Sequence, residues 1–483
     1  MNYSNDPVYQ AVRRICNPEA IEPILAQTWE HWLGQRPASI QVKPTLNYYR
    51  PFDCARLVAE VTVVMEPDAA PIISNSFFNT FADANRVHQE LEQGYELAVP
   101  PGAALPVFAI PEWRTVVWSL PHAPCLPELV PLLQPEIFCP LLVDPQDLPE
   151  QVADYPAPQL FRYVPFKRAI LTWDSPGRDQ RYFVKLCTEK EFPKVVDNFY
   201  QIYHLRDRLS FAVPEPVTAD PKTRTFSMKA LSGQQFTEYM SQTQSEPFER
   251  VGRVLAELHH ADLHPTITWT ATKELRTFNK AMQEVNLALP HLSPAVDWAI
   301  ASLTTAADRI VFPSTYPIHA NLFGDQILYS PDQIGIVDWD TLSLGDPHYD
   351  VGRLIAHFIY LAGRKSLPTT AVKLCIEALI QSYESEIEWT LDRTCLAWHI
   401  ATQLLLRAKI SSLRKLPLGW QDHLEFAVAE AEWLIEGCSE FVSLPSITPK
   451  ITPKITPKIT SEITPEIASE ITPEMTSHPI SRF

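Results

Sequence analysis

The residues of this chain best suited to do chemistry lie in one block, where His319, Asn321, Asp325 and Gln326 are followed by Asp338 and Asp340 and then by Asp346 and Asp350. Residues 326–329 and 334–337 read as two short apolar strands. Ser330, Pro331, Asp332 and Gln333 between them are turn formers, so the segment predicts a β-hairpin. Partners across an antiparallel ladder have Cα atoms about 4.5 to 5.5 Å apart, which brings Gln326 close to Asp338. A carboxylate beside an amide oxygen suits Mg²⁺, which takes oxygen ligands at about 2.0 to 2.1 Å and completes its octahedron with water and substrate phosphates. The block therefore predicts Mg-nucleotide chemistry.

An isolated Asp-Trp-Asp string can equally cap a turn, so the order of several blocks carries more than any one of them. His319-Ala-Asn321, four residues, Gln326, then Asp338-Trp-Asp340 and Gly345-Asp-Pro-His-Tyr-Asp350 resemble the aminoglycoside phosphotransferase family, whose enzymes are protein-kinase-like. That family's pattern is roughly His-Gly-Asp, four residues, Asn, then Asp-Trp-Glu/Asp and Gly-Asp-Pro-x-x-Asp. His319, Asp338, Asp340, Gly345, Asp346, Pro347 and Asp350 match it. Ala320 replaces the Gly, Asn321 the catalytic Asp, and Gln326 the metal-binding Asn. Upstream, residues 252–259 (Gly-Arg-Val-Leu-Ala-Glu-Leu-His) resemble the family's helix entering the C-lobe. The resemblance covers roughly residues 155–435.

It implies an α+β, bilobal protein-kinase-like fold with a β-rich N-lobe over residues 155–235 and a helical C-lobe over 236–444. It implies ATP and Mg²⁺ as cofactors, a small-molecule hydroxyl as acceptor, and metal ligands at Asp338, Gln326 and Asp340. At the catalytic position stands Asn321, with His319 and Asp325 in the same loop. An amide cannot accept the acceptor's proton, and general-base catalysis contributes typically about 10²- to 10⁴-fold. Asp325, displaced along the loop, is the candidate substitute. Phosphoryl transfer relies mainly on positioning and charge stabilisation, so slow chemistry survives on this reading. The alternative is a pseudokinase acting as a nucleotide- or protein-binding regulatory module.

The elements that must position these groups are legible in part. Residues 169–173 and 181–186 read as strands around a turn at Ser175-Pro-Gly177, and Lys185 ends the second. A lysine in an apolar strand is costly to bury unless paired, or it snorkels from an edge. By the resemblance, Lys185 contacts the ATP phosphates and pairs with an acid on the following helix, for which Glu189, Glu191 and Asp197 are the candidates. The glycine-poor turn offers no phosphate loop. Residues 226–233, including Met228, resemble the hinge that lodges adenine. His259 and His260 follow apolar residues at helical spacing and read as structural histidines. Asp346 and Asp350 head an apolar helix and read as caps and scaffold. The C-lobe helices, which build the family's acceptor pocket, carry Glu384, Glu386, Glu388 and Asp392 against Arg407, Lys409, Arg414 and Lys415, and favour neither a cationic nor an anionic acceptor.

Residues 1–150 form an N-terminal α+β extension with an internal echo. Tyr49-Arg-Pro-Phe-Asp-Cys-Ala-Arg-Leu57 parallels Tyr163-Val-Pro-Phe-Lys-Arg-Ala-Ile-Leu171, and residues 76–81 parallel 181–186. The extension reads as a duplicated N-lobe-like module without phosphate chemistry, in which the position of Lys185 falls on Thr80. Residues 445–483 carry eight tetrads, three Ile-Thr-Pro-Lys, two Ile-Thr-Pro-Glu and the related Ile-Thr-Ser-Glu, Ile-Ala-Ser-Glu and Met-Thr-Ser-His. Proline at that frequency forbids helix and paired sheet, which predicts a disordered tail. The extension and the tail are the expected surfaces for a protein partner.

Tail charges cancel, so the net charge of −17 belongs to residues 1–444 and disfavours nucleic acid and anionic membrane as partners. A content of 46% apolar residues fits a globular body. The N-terminus shows no basic start followed by an apolar run, no stretch of 18 apolar residues occurs, and the eight cysteines lack metal-site spacing. Together these predict a cytoplasmic protein with reduced thiols.

Overall fold

The structure is a computed structural model that describes residues 5–95, 105–142, 156–175 and 180–439. The chain divides into two compact units. The first comprises Met1–Lys194, Pro216–Lys229 and Leu287–Pro290, and the second comprises Val195–Glu215, Ala230–Asn286 and His291–Phe483. The expected extension and the expected N-lobe sheet thus share one unit, where separate domains over 1–150 and 155–235 were expected. The proline-rich tail and the turn around Gly177 lie outside the described residues. Among the described residues, no helix is long and apolar enough to cross a membrane.

The first unit opens with helices α1 (Pro7–Ile15) and α2 (Pro18–Leu33), both with proline at the helix start. That position suits proline because its missing N–H would have no helical partner there. Strands β1 (Ser39–Arg50), β2 (Cys54–Val64), β3 (Ile72–Phe81), β4 (Phe108–Ile110) and β5 (Thr115–Ser119) make one antiparallel sheet in the order β1-β2-β3-β5-β4. Helix α3 (Ala84–Tyr95) follows its third strand, and two single-turn helices, α4 (Leu129–Leu132) and α5 (Pro135–Phe138), follow the sheet. Strands β6 (Gln159–Val164), β7 (Arg168–Asp174), β8 (Arg181–Cys187), β9 (Pro216–Asp220) and β10 (Thr225–Lys229) make a second sheet in the order β6-β7-β8-β10-β9. Helix α6 (Phe192–His204) follows that sheet's third strand.

The two sheets share more than strand order. The first ladder of each slips by one residue at the matching place, between Leu46 and Tyr48 and between Leu160 and Arg162. Each turn after the first strand holds a phenylalanine in the left-handed region, Phe52 and Phe166, and each last strand is preceded by a left-handed arginine, Arg114 and Arg224. Their inner faces form one core that includes Phe77, Val116, Trp118, Tyr163, Leu171 and Val184. Phe77 meets Tyr163 and Phe166 edge-on at 5.6 and 5.8 Å, and the Arg56 guanidinium lies 4.6 Å from the Phe166 ring centre.

The register corrects one expectation. Lys185 pairs with Ile170 and Phe226, and the residue in the same place of the first sheet, between Arg56 and Val116, is Asn79. Thr80, the expected counterpart, is one residue further on and therefore points to the opposite face. Lys185 is also no edge residue. Its strand is the middle one of five, and its side chain is buried.

The second unit is mainly helical, with α7 (Phe236–Gln242), α8 (Ser245–His260), α9 (Ala271–Ala288), α10 (Ser293–Ala307), α11 (Pro347–Lys365), α12 (Thr369–Glu386), α13 (Arg393–Ala408) and α14 (Trp420–Ser439). The apolar faces of α8, α11 and α13 bury Leu255, Leu258, Leu354, Phe358, Leu404 and their neighbours. Gly352 allows α11 to approach α13 closely, since a Cβ there would stand 2.8 Å from the His399 Cβ. Two small ladders interrupt the helices. One joins β11 (Gln234–Gln235), β13 (Ile327–Tyr329) and β14 (Ile334–Ile336), and the other joins β12 (Tyr316–Ile318) to β15 (Ser343–Gly345).

Candidate active site

The expected hairpin is present. Ile327, Leu328 and Tyr329 pair with Ile336, Gly335 and Ile334, and the Val337 N–H donates to the Gln326 carbonyl at 3.0 Å. This puts Gln326 and Asp338 at the same open end of the ladder. Asp338 sits there at φ +68, a left-handed conformation that costs a side chain roughly 1 to 3 kcal/mol and tends to mark functional sites. It opens the helical turn Trp339–Thr341, on which Asp340 is buried and Asp338 is partly exposed. The buried amide of Asn198 fixes that turn by donating to the Asp340 and Leu342 carbonyls at 3.1 and 3.2 Å.

Gln326 has a second duty. Its Oε1 accepts the Phe323 N–H at 2.7 Å and closes the turn between the loop and the strand. One lone pair of that oxygen is thus committed to the fold, and the other is the group a cation would use. Oxygen-only donors from Asp338, Gln326 and Asp340 fit a hard divalent ion.

The loop from His319 to Asp325 leaves β12 and is held by α11. The Asp350 carboxylate accepts the backbone N–H groups of His319 and Ala320 at 2.6 and 3.0 Å. Burial works against its ionisation, yet the adjoining His259 and His319 rings and the His319 amide prevail and hold its pKa below the usual carboxylate range. His319 is buried, and burial keeps its pKa low, so the ring is neutral and donates from Nε2 to the Val337 carbonyl at 3.0 Å. Its ring also packs on Trp339 at 4.8 Å. These contacts clamp the loop to the hairpin, which is a positioning role rather than that of a base. Ala320 adopts φ +60 in the position where the resembled pattern has glycine. Only the left-handed region continues the chain there, which gives that glycine a steric reason.

Asn321 is partly exposed, and its Oδ1 accepts from Arg353 Nη2 at 2.7 Å. Arg353 lies three residues after Asp350 on α11, so both side chains reach the same loop. Asp325 is exposed, 3.9 Å from His357 Nδ1. The remaining expected acids behave as scaffold. Asp346 caps α11 by accepting the His348 N–H, and it also meets His348 Nδ1 at 2.6 Å, Cys395 Sγ at 3.1 Å and His399 Nε2 at 3.3 Å. Burial opposes its charge, but His348 and His399 hold its pKa low. Burial likewise opposes a charged His399, yet Glu274 on one side and Asp346 on the other raise its pKa well above normal. Asp346, His348 and Cys395 place three potential metal ligands within 4.8 Å of one another. Each is already engaged in this hydrogen-bond network. His259 is structural, as expected, with Nδ1 2.7 Å from the Tyr383 hydroxyl.

In the first unit, Lys185 and Met228 lie on adjacent central strands of the second sheet, and Met228 pairs with Phe183. On α6, Asp197 is exposed to solvent while its neighbour Asn198 is buried. The turn joining the sheet's first two strands contains Pro165, Phe166 and Lys167, with no glycine.

Sequence reasoning assigned no site role to Asn198, Glu274, Arg353, His357, His399 or Arg407. Arg353 carried a signal, its helical spacing from Asp350. The others contact the loop or its supports only through distant segments, for which the sequence offers no marker.

The family model of the phosphotransferase enzyme family (APH) matches residues 168–394, just under half of the chain. No curated protein matches the sequence. Solved structures with a similar fold include a choline/ethanolamine kinase family protein from Mesorhizobium loti, at 14% identity over 62% of this chain and 94% of that one, with a TM-score of 0.42. An amicoumacin kinase in complex with AMP-PNP, Ca²⁺ and Ami shows 14% identity over 61% and 91% of the two chains, with a TM-score of 0.42. Spectinomycin phosphotransferase with ADP and spectinomycin shows 14% identity over 58% and 93%, with a TM-score of 0.41.

Proposed function

From the match of residues 168–394 to the phosphotransferase enzyme family, we propose that this protein is an ATP-dependent phosphotransferase acting on a small-molecule hydroxyl. The observation that carries the reading is the pairing of a loop anchored on Asp350 with a hairpin that delivers Gln326 and Asp338 to one end. A bound Mg²⁺ would supply charge stabilisation to the transferring phosphoryl group, and Asp338, Gln326 and Asp340 are the residues to hold it. Lys185 is the cation assigned to the nucleotide phosphates and Met228 the residue assigned to the adenine side. His319 and Asp350 fix the loop, and Asn321 orients the acceptor by hydrogen bonding. The only carboxylate on the loop is Asp325, which is the group assigned to take the acceptor's proton.

Two observations favour a second reading, a pseudokinase that binds nucleotide or protein without turnover. The side chain at the expected base position is an amide engaged by Arg353. Protein kinases cover the phosphates with a glycine-rich loop ahead of the strand bearing the lysine, and here the corresponding turn is glycine-free and its Phe166 is packed against Phe77 and Arg56.

The deciding experiment is a thermal melt of the full chain with ATP, with and without Mg²⁺, repeated on Lys185→Met and Asp338→Ala. Ligand at about 100 times its dissociation constant adds about 2.7 kcal/mol to the folded state, which raises the midpoint by several degrees. A Mg²⁺-dependent rise lost in both variants supports the nucleotide site. No rise in the wild type sinks it. Phosphate transfer measured alongside separates enzyme from pseudokinase, and a gain of at least tenfold in Asn321→Asp would identify the amide as a loss of the base.

A further inference from the structure

The ring of Phe323, two residues beyond Asn321, is met by two guanidinium groups, Arg353 at 4.1 Å and Arg407 at 4.3 Å from its centre. We infer that Arg353 and Arg407 form an anion-binding subsite beside the Asn321 loop, so that the acceptor is a small hydroxyl compound carrying a carboxylate or phosphate group. That the anion belongs to an acceptor rests on the phosphotransferase reading; that an anion binds rests on the geometry alone.

Neither cation is held in an ion pair, and the one carboxylate whose charge acts on Arg407 is the solvent-exposed Asp325. Arg353 donates to the Tyr349 hydroxyl at 3.0 Å, the Gln403 Oε1 at 2.5 Å and the Asn321 Oδ1 at 2.7 Å, all neutral groups. Arg407 approaches His357 Nε2 at 2.8 Å. The Nε of each arginine is buried without a hydrogen-bond acceptor. Among the described residues no carboxylate lies within ion-pair distance of either guanidinium. The neighbouring Lys409, by contrast, is matched by Glu284 in a buried pair. A desolvated charge without a partner is costly, and a guanidinium fork is shaped to receive a carboxylate or phosphate.

His357 adds a second observation. Burial, with Arg407 and Arg353 nearby, lowers its pKa well below normal, so the ring is neutral and has one acceptor nitrogen. Two donors approach it, the Gly324 N–H at 3.1 Å on Nδ1 and Arg407 at 2.8 Å on Nε2. A neutral ring can satisfy only one of them. The other meets the ring N–H and finds no acceptor there. Asn321 fits the same logic. A carboxylate there would stand against the Arg353 guanidinium and neutralise it, whereas the amide accepts the hydrogen bond and leaves the positive charge for a ligand. Asn321, Arg353 and Arg407 each keep partial exposure, so a small anion can reach them. Asp325 is the nearest carboxylate in this cluster, and it is exposed to solvent.

The test measures the melting midpoint and apparent affinity of the full-length protein with inorganic phosphate and with malate, against sodium chloride at equal ionic strength. A saturable rise is expected for at least one of them, weakened at least tenfold in Arg407→Gln and at least threefold in Arg407→Lys, which keeps the charge and loses the fork. Arg407→Lys is the more conservative change and serves if Arg407→Gln does not fold. Absence of a saturable rise in the wild type, or equal affinity in the variants, overturns the inference. So does a phosphate effect that disappears in Lys185→Met and persists in Arg407→Gln, because it places the anion with the nucleotide. An anion response that depends on Arg407 in a protein with no response to ATP would leave the subsite standing and remove the phosphotransferase reading.

Discussion

The two five-stranded sheets of the first unit are laid out alike, down to the slipped residue in the first ladder and the left-handed Phe52 and Phe166, yet they differ at the one position where chemistry would sit. The second sheet places Lys185 there and the first places Asn79. Asn79 donates to Glu90 of α3 at 2.6 Å, and the indole of Trp118 donates to the other oxygen of the same carboxylate at 2.8 Å. The first sheet has thus turned the position inward to serve its own helix. A scaffold fixes where a side chain stands; the residue type decides whether that place binds a ligand or braces the fold.

If the sheets support each other through one core, breaking that core has the largest effect. Phe77→Ala removes a buried ring that touches Tyr163 and Phe166 of the other sheet, and Phe-to-Ala changes in cores cost about 3 to 5 kcal/mol. Chemical denaturation should show that loss as one transition for the unit. Two transitions, with the second sheet's unchanged, would mean that the sheets are independent.

The next effect separates the roles of the matched residues. Asn79→Leu deprives the half-buried Glu90 of one of its two donors, and an unsatisfied buried polar group costs at most about 1 to 3 kcal/mol. Lys185→Met keeps the apolar stem of the lysine. It is expected to melt above Asn79→Leu without ligand and to lose the rise that ATP gives to the wild type, while Asn79→Leu keeps that rise. The opposite pattern would exchange the functional and structural sheets.

How much of this was legible follows from the range of the interactions. The hairpin at 327–336 and the capping acid Asp346 were readable because strand alternation, turn residues and helix-start chemistry act over a few residues, whereas Asp350, read as a cap as well, spends its carboxylate on the distant His319 and Ala320 amides. The echo between 49–57 and 163–171 was readable for the same reason. The Lys185 counterpart slipped by one residue because the connection between the second and third strands differs in length, and only the cross-strand register shows which face a residue takes. The extension looked separate because an alternating apolar pattern announces a buried face without naming what covers it. The same limit hid the roles of Arg407, which reaches the loop from α13, and of His399, which reaches Asp346 from the same helix, and the tight Gln326 to Phe323 turn, which uses a side chain that the pattern suggested for metal alone.

The smallest effect is one of pH, and it tests whether Glu90 is a brace rather than a site. Burial raises the Glu90 pKa, and the hydrogen bonds from Trp118 and Asn79 only partly offset it. A carboxyl whose folded pKa lies above its unfolded value binds more protons folded than unfolded across the interval between the two. The stability it contributes is therefore present below the ordinary glutamate range and is lost as pH rises through the folded value. Glu90→Gln removes that titration. The stability of the wild type relative to Glu90→Gln should thus increase as pH falls from neutrality toward the ordinary glutamate pKa, with a slope that stays below about 1.4 kcal/mol per pH unit. Paired melts of the two proteins across that range give the difference directly. A flat difference would mean that Glu90 is ionised at no cost, with enough solvent or charge around it that the first sheet's cluster could serve a ligand, the role proposed for Lys185 in the second.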